Sequence, residues 1–286
     1  MARAALLQMT TGIDPQANAA AIVDGVAQAR AGGAAMLFTP EMSGLLDRKR
    51  ERGGRLIRTE EEDLVLGAVR EAARREGIWV HIGSLAVACA DRADGKWANR
   101  AFVIDDKGEI RARYDKMHMF DVDLATGESW RESNAYAAGD EVVTVETPLG
   151  RLGLAICYDV RFPALFEALG RARCDLIAIP AAFTVPTGKA HWHLLQRARA
   201  VEASAYVLSA AQAGLHEDGR ETYGHSLAID PWGEVLLDMG GADGGGTRGE
   251  GAQGGAGVGF VDLDPARIAE VRKQLPSLAN RRIIAK

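Results

Sequence analysis

Apolar positions recur along the chain with two periods, and each change of period marks an element. Residues 4–9 form a short apolar run closed by the turn Asp14-Pro15, after which Ala19, Ile22, Val23, Val26 and Ala29 recur at helical spacing up to Gly32. A second apolar run, 34–38, ends at Thr39-Pro40-Glu41, so the chain opens in the strand–helix–strand order of an α/β protein. Residues 60–76 repeat the helical pattern, with Leu64, Val65, Ala68 and Ala72 on one face and Gly77 closing it ahead of a strand over 78–90. Two hairpins follow, 101–105 with 109–114 and 142–147 with 152–156. The pattern then predicts a helix over 163–171, a buried strand over 176–179 and a long helix over 191–204. Strands over 207–211, 226–230, 235–238 and 258–263 and a last helix over 265–273 complete it. Helices set between runs of paired strands predict two mixed sheets with helices outside.

Composition allows this to be one domain over 1–286. The 286 residues are 47% hydrophobic and 26% charged, enough apolar surface for a sizeable core. Residues 240–259 break the pattern. Glycine fills more than half of these positions with no apolar period, which predicts a flexible surface loop. A phosphate cradle would need a strand before the glycines and a helix starting on them, whereas a strand follows here.

The net charge of −5 is spread without blocks of one sign, except for the basic run 48–55, which reads as a solvated loop, with a substrate-anion or partner contact as its alternative. Neither nucleic acid nor an anionic membrane is expected as a partner. The N-terminus has too short an apolar core for a signal peptide, and no apolar run reaches the ~18–20 residues of a membrane span. Cys89, Cys157 and Cys174 are odd in number and widely spaced, which suits a reducing cytoplasm.

Three strand ends carry reactive side chains: Glu41, Lys116 and Cys157. Cys157 follows an apolar strand and precedes a helix, where backbone N–H groups would make a thiol easier to ionise. Glu41, after a buried strand and Pro40, is placed to serve as a general base. Lys116 sits among carboxylates that are equally plain ion-pair partners. Each residue alone also has an ordinary reading, as a buried cysteine, a loop carboxylate or a salt-bridged lysine. His191 and His193 suggest a metal pair only weakly, because a helix puts them on different faces, and His225 reads as a structural hydrogen-bonding residue, with a catalytic base as its alternative.

Pro40-Glu41-Met42, Tyr114-Asp115-Lys116-Met117-His118-Met119-Phe120-Asp121-Val122-Asp123 and Cys157-Tyr158-Asp159-Val160-Arg161-Phe162-Pro163 resemble, in order, three signatures of the nitrilase-type carbon–nitrogen hydrolase superfamily. The resemblance continues through 188–202 and 223–233 and covers nearly the whole chain, leaving 240–259 as an insertion. It implies a four-layer α-β-β-α sandwich that associates through its helical faces into a homodimer or higher homo-oligomer. It also implies a catalytic triad of Glu41, Lys116 and Cys157 and a second active-site glutamate, Glu132, with Glu128 as a nearby rival. The mechanism so implied is amide hydrolysis through an acyl-thioester, with neither metal nor cofactor.

Within the superfamily, Cys-Tyr-Asp-Val-Arg-Phe-Pro resembles amidases of α-keto acid amides rather than nitrilases, whose cysteine is followed by Trp-Glu. Residues 210–226 are closer to the deaminated glutathione amidases than to the omega-amidases. The implied reaction converts deaminated glutathione to 2-oxoglutarate and cysteinylglycine. A carboxylate substrate calls for a cation, and Arg161 is a candidate, with a helix-start salt bridge as its alternative. Tyr158, next to the nucleophile, and Phe183 and Thr184, at another strand end, are candidate substrate-binding residues, the last two equally readable as core. Other readings are an omega-amidase, an N-carbamoyl amino acid hydrolase, or a non-catalytic redox-sensing or interaction protein using Cys157.

Overall fold

The computed structural model describes all residues except 90–91, 124–126, 128, 243 and 283–286. Its first half builds all but one strand of the first sheet, and the helices on it. β1 (Ala2–Gln8), α1 (Pro15–Ala31) and β2 (Met36–Phe38) form the opening unit, with Asp14 capping α1 by accepting from Gln16 N and Pro15 in its first turn. After α2 (Arg50–Gly54) come α3 (Leu64–Glu76), β3 (Trp79–Ala88), β4 (Trp97–Ile104) and β5 (Ile110–Asp115). The predicted helix at 60–76 starts four residues late because the Asp63 side chain takes Leu66 N at 2.8 Å and so caps it.

A small hairpin, β6 (Asp121–Asp123) with β7 (Ser129–Arg131), and the short β8 (Tyr136–Ala137) lead into the second half. There β9 (Thr144–Thr147) and β10 (Gly150–Leu154) make a hairpin, followed by α4 (Pro163–Arg171), β11 (Leu176–Ala178) and α5 (Val185–Ala203). β12 (Tyr206–Ser209), β13 (Ala213–Leu215), β14 (Glu221–Tyr223), β15 (Leu227–Ile229), β16 (Val235–Asp238), β17 (Gly257–Leu263), α6 (Pro265–Gln274) and the short α7 (Ser277–Asn280) complete the order. α5 begins six residues before the predicted start at 191. Pro186 and Gly188 look like breakers in sequence, but proline fits a first turn. Gly188 lies where a Cβ would fall 2.3 Å from Cγ of Tyr223.

The first sheet runs β17-β1-β2-β3-β4-β5 with β8 on β4, and the second runs β16-β15-β12-β11-β10-β9. Alternate residues of one strand serve two cores. In β1, Ala5 and Leu7 join Ile22 and Val26 of α1, while Ala4 and Leu6 join Leu152 and Leu154 of the second sheet. Burial on both faces explains why these strands read as unbroken apolar runs. On the far side of the second sheet, α4 and α5 supply Phe166, Leu169, Trp192 and Ala200 to the same core. The result is the four-layer α-β-β-α sandwich expected from the sequence.

The glycine-rich stretch is more tied down than expected. Its tip is exposed, yet Gln8 Nε2 donates to Gly240 O at 3.0 Å and to Gly255 O at 2.7 Å, and its last residues already belong to β17. No helix is long and apolar enough to cross a membrane among the described residues.

Candidate active site

Glu41 is delivered by the loop leaving β2. Thr39 N bonds His81 O at 3.0 Å and Thr39 Oγ1 accepts from Gly83 N at 3.0 Å, which anchors the loop on β3. The Glu41 side chain is buried, and its Oε2 accepts from Ala182 N at 3.0 Å. Lys116 is the first residue after β5, its N–H bonded to Asn99 O at 2.9 Å. Its Nζ donates to Glu41 Oε1 at 2.8 Å and to Glu132 Oε2 at 2.8 Å and Oε1 at 3.1 Å. Glu132 opens a 3-10 turn (Glu132–Asn134) and also accepts from Phe120 N at 2.7 Å. The acidic neighbours of Lys116 in sequence are therefore not its partners. The rival Glu128 lies outside the described residues.

Cys157 begins a 3-10 turn (Cys157–Arg161) beyond β10, with a φ of 46° and its N–H bonded to Pro180 O at 2.8 Å. A non-glycine residue in the left-handed region costs on the order of 1–3 kcal/mol, and surrounding bonds hold it there. Asp159, fully buried, supplies them. Its carboxylate accepts from Ile156 N at 2.8 Å, Tyr114 OH at 2.7 Å and His118 N at 3.0 Å, and meets His118 Nδ1 at 2.7 Å. His118 in turn stacks on Phe162, ring centroids 3.6 Å apart. The carboxylate thus ties the residues on either side of Lys116 to the cysteine turn.

Charge states follow from these contacts. Burial pushes the Cys157 thiol well up, the Glu41 carboxylate pushes it further, and Lys116 opposes both. The sequence expectation of an easily ionised thiol is therefore corrected, because desolvation outweighs the backbone N–H groups. Burial would also raise the Glu41 carboxyl, but Lys116, Cys157 and Asn99 hold it below its ordinary 4.5. Burial works against the Lys116 ammonium, yet Glu132 and Glu41 keep it well above 10.5. The resting state is a thiol beside a carboxylate beside an ammonium.

A cavity of about 360 Å³ opens onto these groups, and Glu41, Lys116, Glu132, Cys157, Tyr158, Arg161, Phe183 and Thr184 all line it. Arg161 makes no carboxylate ion pair among the described residues. It lies over the rings of Tyr158 and Phe183, with His191 Nδ1 3.3 Å from its Nη1. Thr184 precedes α5, and Phe183 packs on Trp192 at 4.7 Å. Sequence reasoning missed Asn99, whose Nδ2 donates to both Glu41 and Glu132 at 3.0 Å, as well as Arg48, Trp130, Tyr136 and Arg220 on the cavity wall. The basic run, expected as a loop, is helical over Arg50–Gly54, and its arginines divide between surface ion pairs and the cavity. Arg52 and Arg55 pair with Asp47 and Glu51, whereas Arg48 and Arg50 line the cavity.

A second cluster lies apart from these lining residues. His193 Nε2 and His225 Nδ1 meet the two oxygens of Asp238 at 2.9 and 2.8 Å. The three bring atoms able to hold a metal ion within 4.8 Å of one another. Although burial raises it, the Asp238 carboxyl is held at about 2 by the two imidazoles. His191, facing Arg161, takes no part.

The carbon-nitrogen hydrolase family matches residues 3–273. The chain is 39% identical over 236 residues to a deaminated glutathione amidase from Yersinia enterocolitica, covering 82% of each chain. Its fold matches the C. elegans NitFhit protein with a TM-score of 0.84 at 34% identity, covering 99% of this chain and 66% of that one. It also matches, at a TM-score of 0.78 and 26% identity over 98% of this chain and 94% of the other, a mutant amidase from Nesterenkonia sp.. That amidase shows covalent addition of the acetamide moiety of fluoroacetamide at its active site cysteine. The chain belongs to the carbon-nitrogen hydrolase family and is a hydrolase of carbon–nitrogen bonds other than peptide bonds.

Proposed function

We propose that the chain is a thiol amidase that cleaves a small carboxylate-bearing amide through an acyl-thioester on Cys157. In this reading the substrate is deaminated glutathione, released as 2-oxoglutarate and cysteinylglycine. The observation that carries it is the convergence of Glu41, Lys116 and Cys157 on one cavity, with Lys116 Nζ 2.8 Å from Glu41. The Yersinia relative's name supports the choice of amide.

Glu41 takes the thiol proton as sulfur attacks the amide carbonyl, and the carbonyl oxygen becomes an oxyanion. Lys116 and the Tyr158 N–H face that charge, and Glu132 and Asn99 hold Lys116 and Glu41 in place. The proton on Glu41 passes to nitrogen, the C–N bond breaks, and the amine leaves the acyl group on sulfur. Glu41 then draws a proton from water as its oxygen attacks the thioester. The acid departs and the proton returns to sulfur. Arg161 receives a substrate carboxylate.

A redox-sensing role fits poorly, since a sensor thiol is exposed and low in pKa, whereas Cys157 is buried and raised. The reading needs a small-molecule partner and neither nucleic acid nor membrane. It includes a cytoplasmic location and a homo-oligomer.

The test is mass spectrometry of acid-quenched protein with deaminated glutathione, 2-oxoglutaramate and N-carbamoyl amino acids. A 2-oxoglutaryl adduct is expected on wild-type Cys157 and none on Cys157→Ala. A preference for 2-oxoglutaramate by orders of magnitude, or turnover without an adduct in both proteins, rejects it.

A further inference from the structure

One cation on the cavity wall is left short of partners. Arg220 lies between β13 and β14 with its side chain 17% exposed, and its Nε has no hydrogen-bond partner among the described residues. Its ion-pair partner there is Asp218, 3.5 Å from Nη2, and both oxygens of that carboxylate already accept backbone N–H groups, from Arg48 at 2.8 Å and from Arg220 itself at 2.9 Å. Burial consequently holds the guanidinium below the ordinary arginine value. A buried charge without full pairing is costly, and such a group in a cleft marks a place for a ligand.

The surroundings say which ligand. The Arg220 guanidinium lies 4.7 Å from the Trp130 ring centroid, and Arg48 lies 5.0 Å from the same ring. Trp130 Nε1 is also buried without a partner among the described residues. Arg48, Trp130 and Arg220 all line the cavity, and Trp130 Nε1 and Arg220 Nε are N–H donors without an acceptor among the described residues. This set fits a planar anion such as a carboxylate. It is not the station assigned to Arg161. Trp130 is 6.4 Å from Phe120, Phe120 is 5.0 Å from Tyr158, and Arg161 lies over Tyr158, so the two cation groups stand on different rings of a chain of three neighbouring rings.

We propose that Arg220, with Trp130 and Arg48, is a second carboxylate site, and that the substrates of this cavity are amides bearing a carboxylate on each side of the scissile C–N bond. The inference rests on the reading above that the cavity cleaves carboxylate-bearing amides, with Arg161 receiving the first carboxylate. Deaminated glutathione belongs to this class and 2-oxoglutaramate does not.

The test is steady-state kinetics on one amide scaffold in four forms: carboxylates on both sides, on the acyl side only, on the amine side only, and on neither, with carboxamides replacing the missing groups. Wild-type, Arg220→Gln, Arg220→Lys and Arg161→Gln proteins are compared. Arg220→Gln is expected to lower kcat/KM for the dicarboxylate on the order of 10²-fold. That penalty should shrink to a few-fold on one of the two monocarboxylates, with Arg161→Gln showing the complementary preference and Arg220→Lys recovering part of the loss. An equal loss on all four amides would make Arg220 a structural residue, and no loss on the dicarboxylate would also overturn the proposal. If wild-type protein prefers the neutral amide, the underlying functional reading fails. If it prefers the dicarboxylate while Arg220→Gln is indifferent, only the second site fails.

Discussion

Cys157 and Glu41 share one transferable proton, and their surroundings decide where it rests. Burial and the neighbouring carboxylate both raise the thiol, while Lys116 holds Glu41 ionised despite its own burial. Because the folded Glu41 value lies below 4.5, its stabilising contribution and its competence as a base are present above pH 4.5 and are lost as pH falls through the lowered value. On the alkaline side Lys116 stays protonated past 10.5. The expected kcat/KM profile is flat through neutral pH with its acid limb below pH 4.5, measured with a substrate that does not titrate there. A rate that climbs with pH through the ordinary thiol value of 9.0 would mean that free thiolate is the reactive form, contrary to this assignment.

At the scale of elements, β3 is what the two catalytic loops rest on. It bulges between Ile82 and Leu85, and a Cβ on Gly83 would lie 2.1 Å from Thr39 O, 2.4 Å from Pro40 O and 2.5 Å from Pro180 Cβ. Thr39 and Pro40 lead into Glu41, and Pro180 O holds Cys157 N, so a side chain at Gly83 would spread the base from the nucleophile. Gly83→Ala is expected to cost about 1–3 kcal/mol in denaturant unfolding and roughly 10²-fold in kcat. Wild-type turnover in that variant would show that the approach is relaxed in solution. The same contacts explain what was legible beforehand. Helix α4 and strand β16 match their predicted bounds because apolar period and flanking signals agree there, and Gly77 ends α3 in the left-handed conformation its position suggested. Asn99 shares the alternation of Ala101 and Val103 in β4, and a polar residue among inward-facing positions was the available signal for it. Arg220 and Trp130 left no such trace, since their meeting depends on how β7 and the distant turn between β13 and β14 come together on the cavity wall.

At the scale of the whole molecule, the two sheets pack face to face and hide each other, leaving the helices as the outer layers. α3 shows one large apolar side chain to solvent, Leu64 at its first residue, whereas α5 shows two along its length. Leu194 is 67% exposed and Val201 is 42% exposed, seven residues apart and so on one face. The turn beside them adds Trp232, 51% exposed, with Arg197 Nε bonded to Gly233 O at 2.7 Å and Val201 packed against the same glycine. An apolar stripe of this kind on an outer helix suits a self-complementary contact, in which each residue is buried twice by one two-fold axis. We propose a homodimer through this face, in line with the association the family resemblance implies. Light scattering after size exclusion should give twice the 30.5 kDa chain mass or a higher multiple of it for wild-type protein. Val201→Arg and Leu194→Glu should lower that mass while the melting temperature stays within a few degrees, because neither side chain belongs to the core. A monomeric wild-type protein at all concentrations, or variants that keep the full assembly, would move the contact elsewhere and leave the α5 stripe without a role in association.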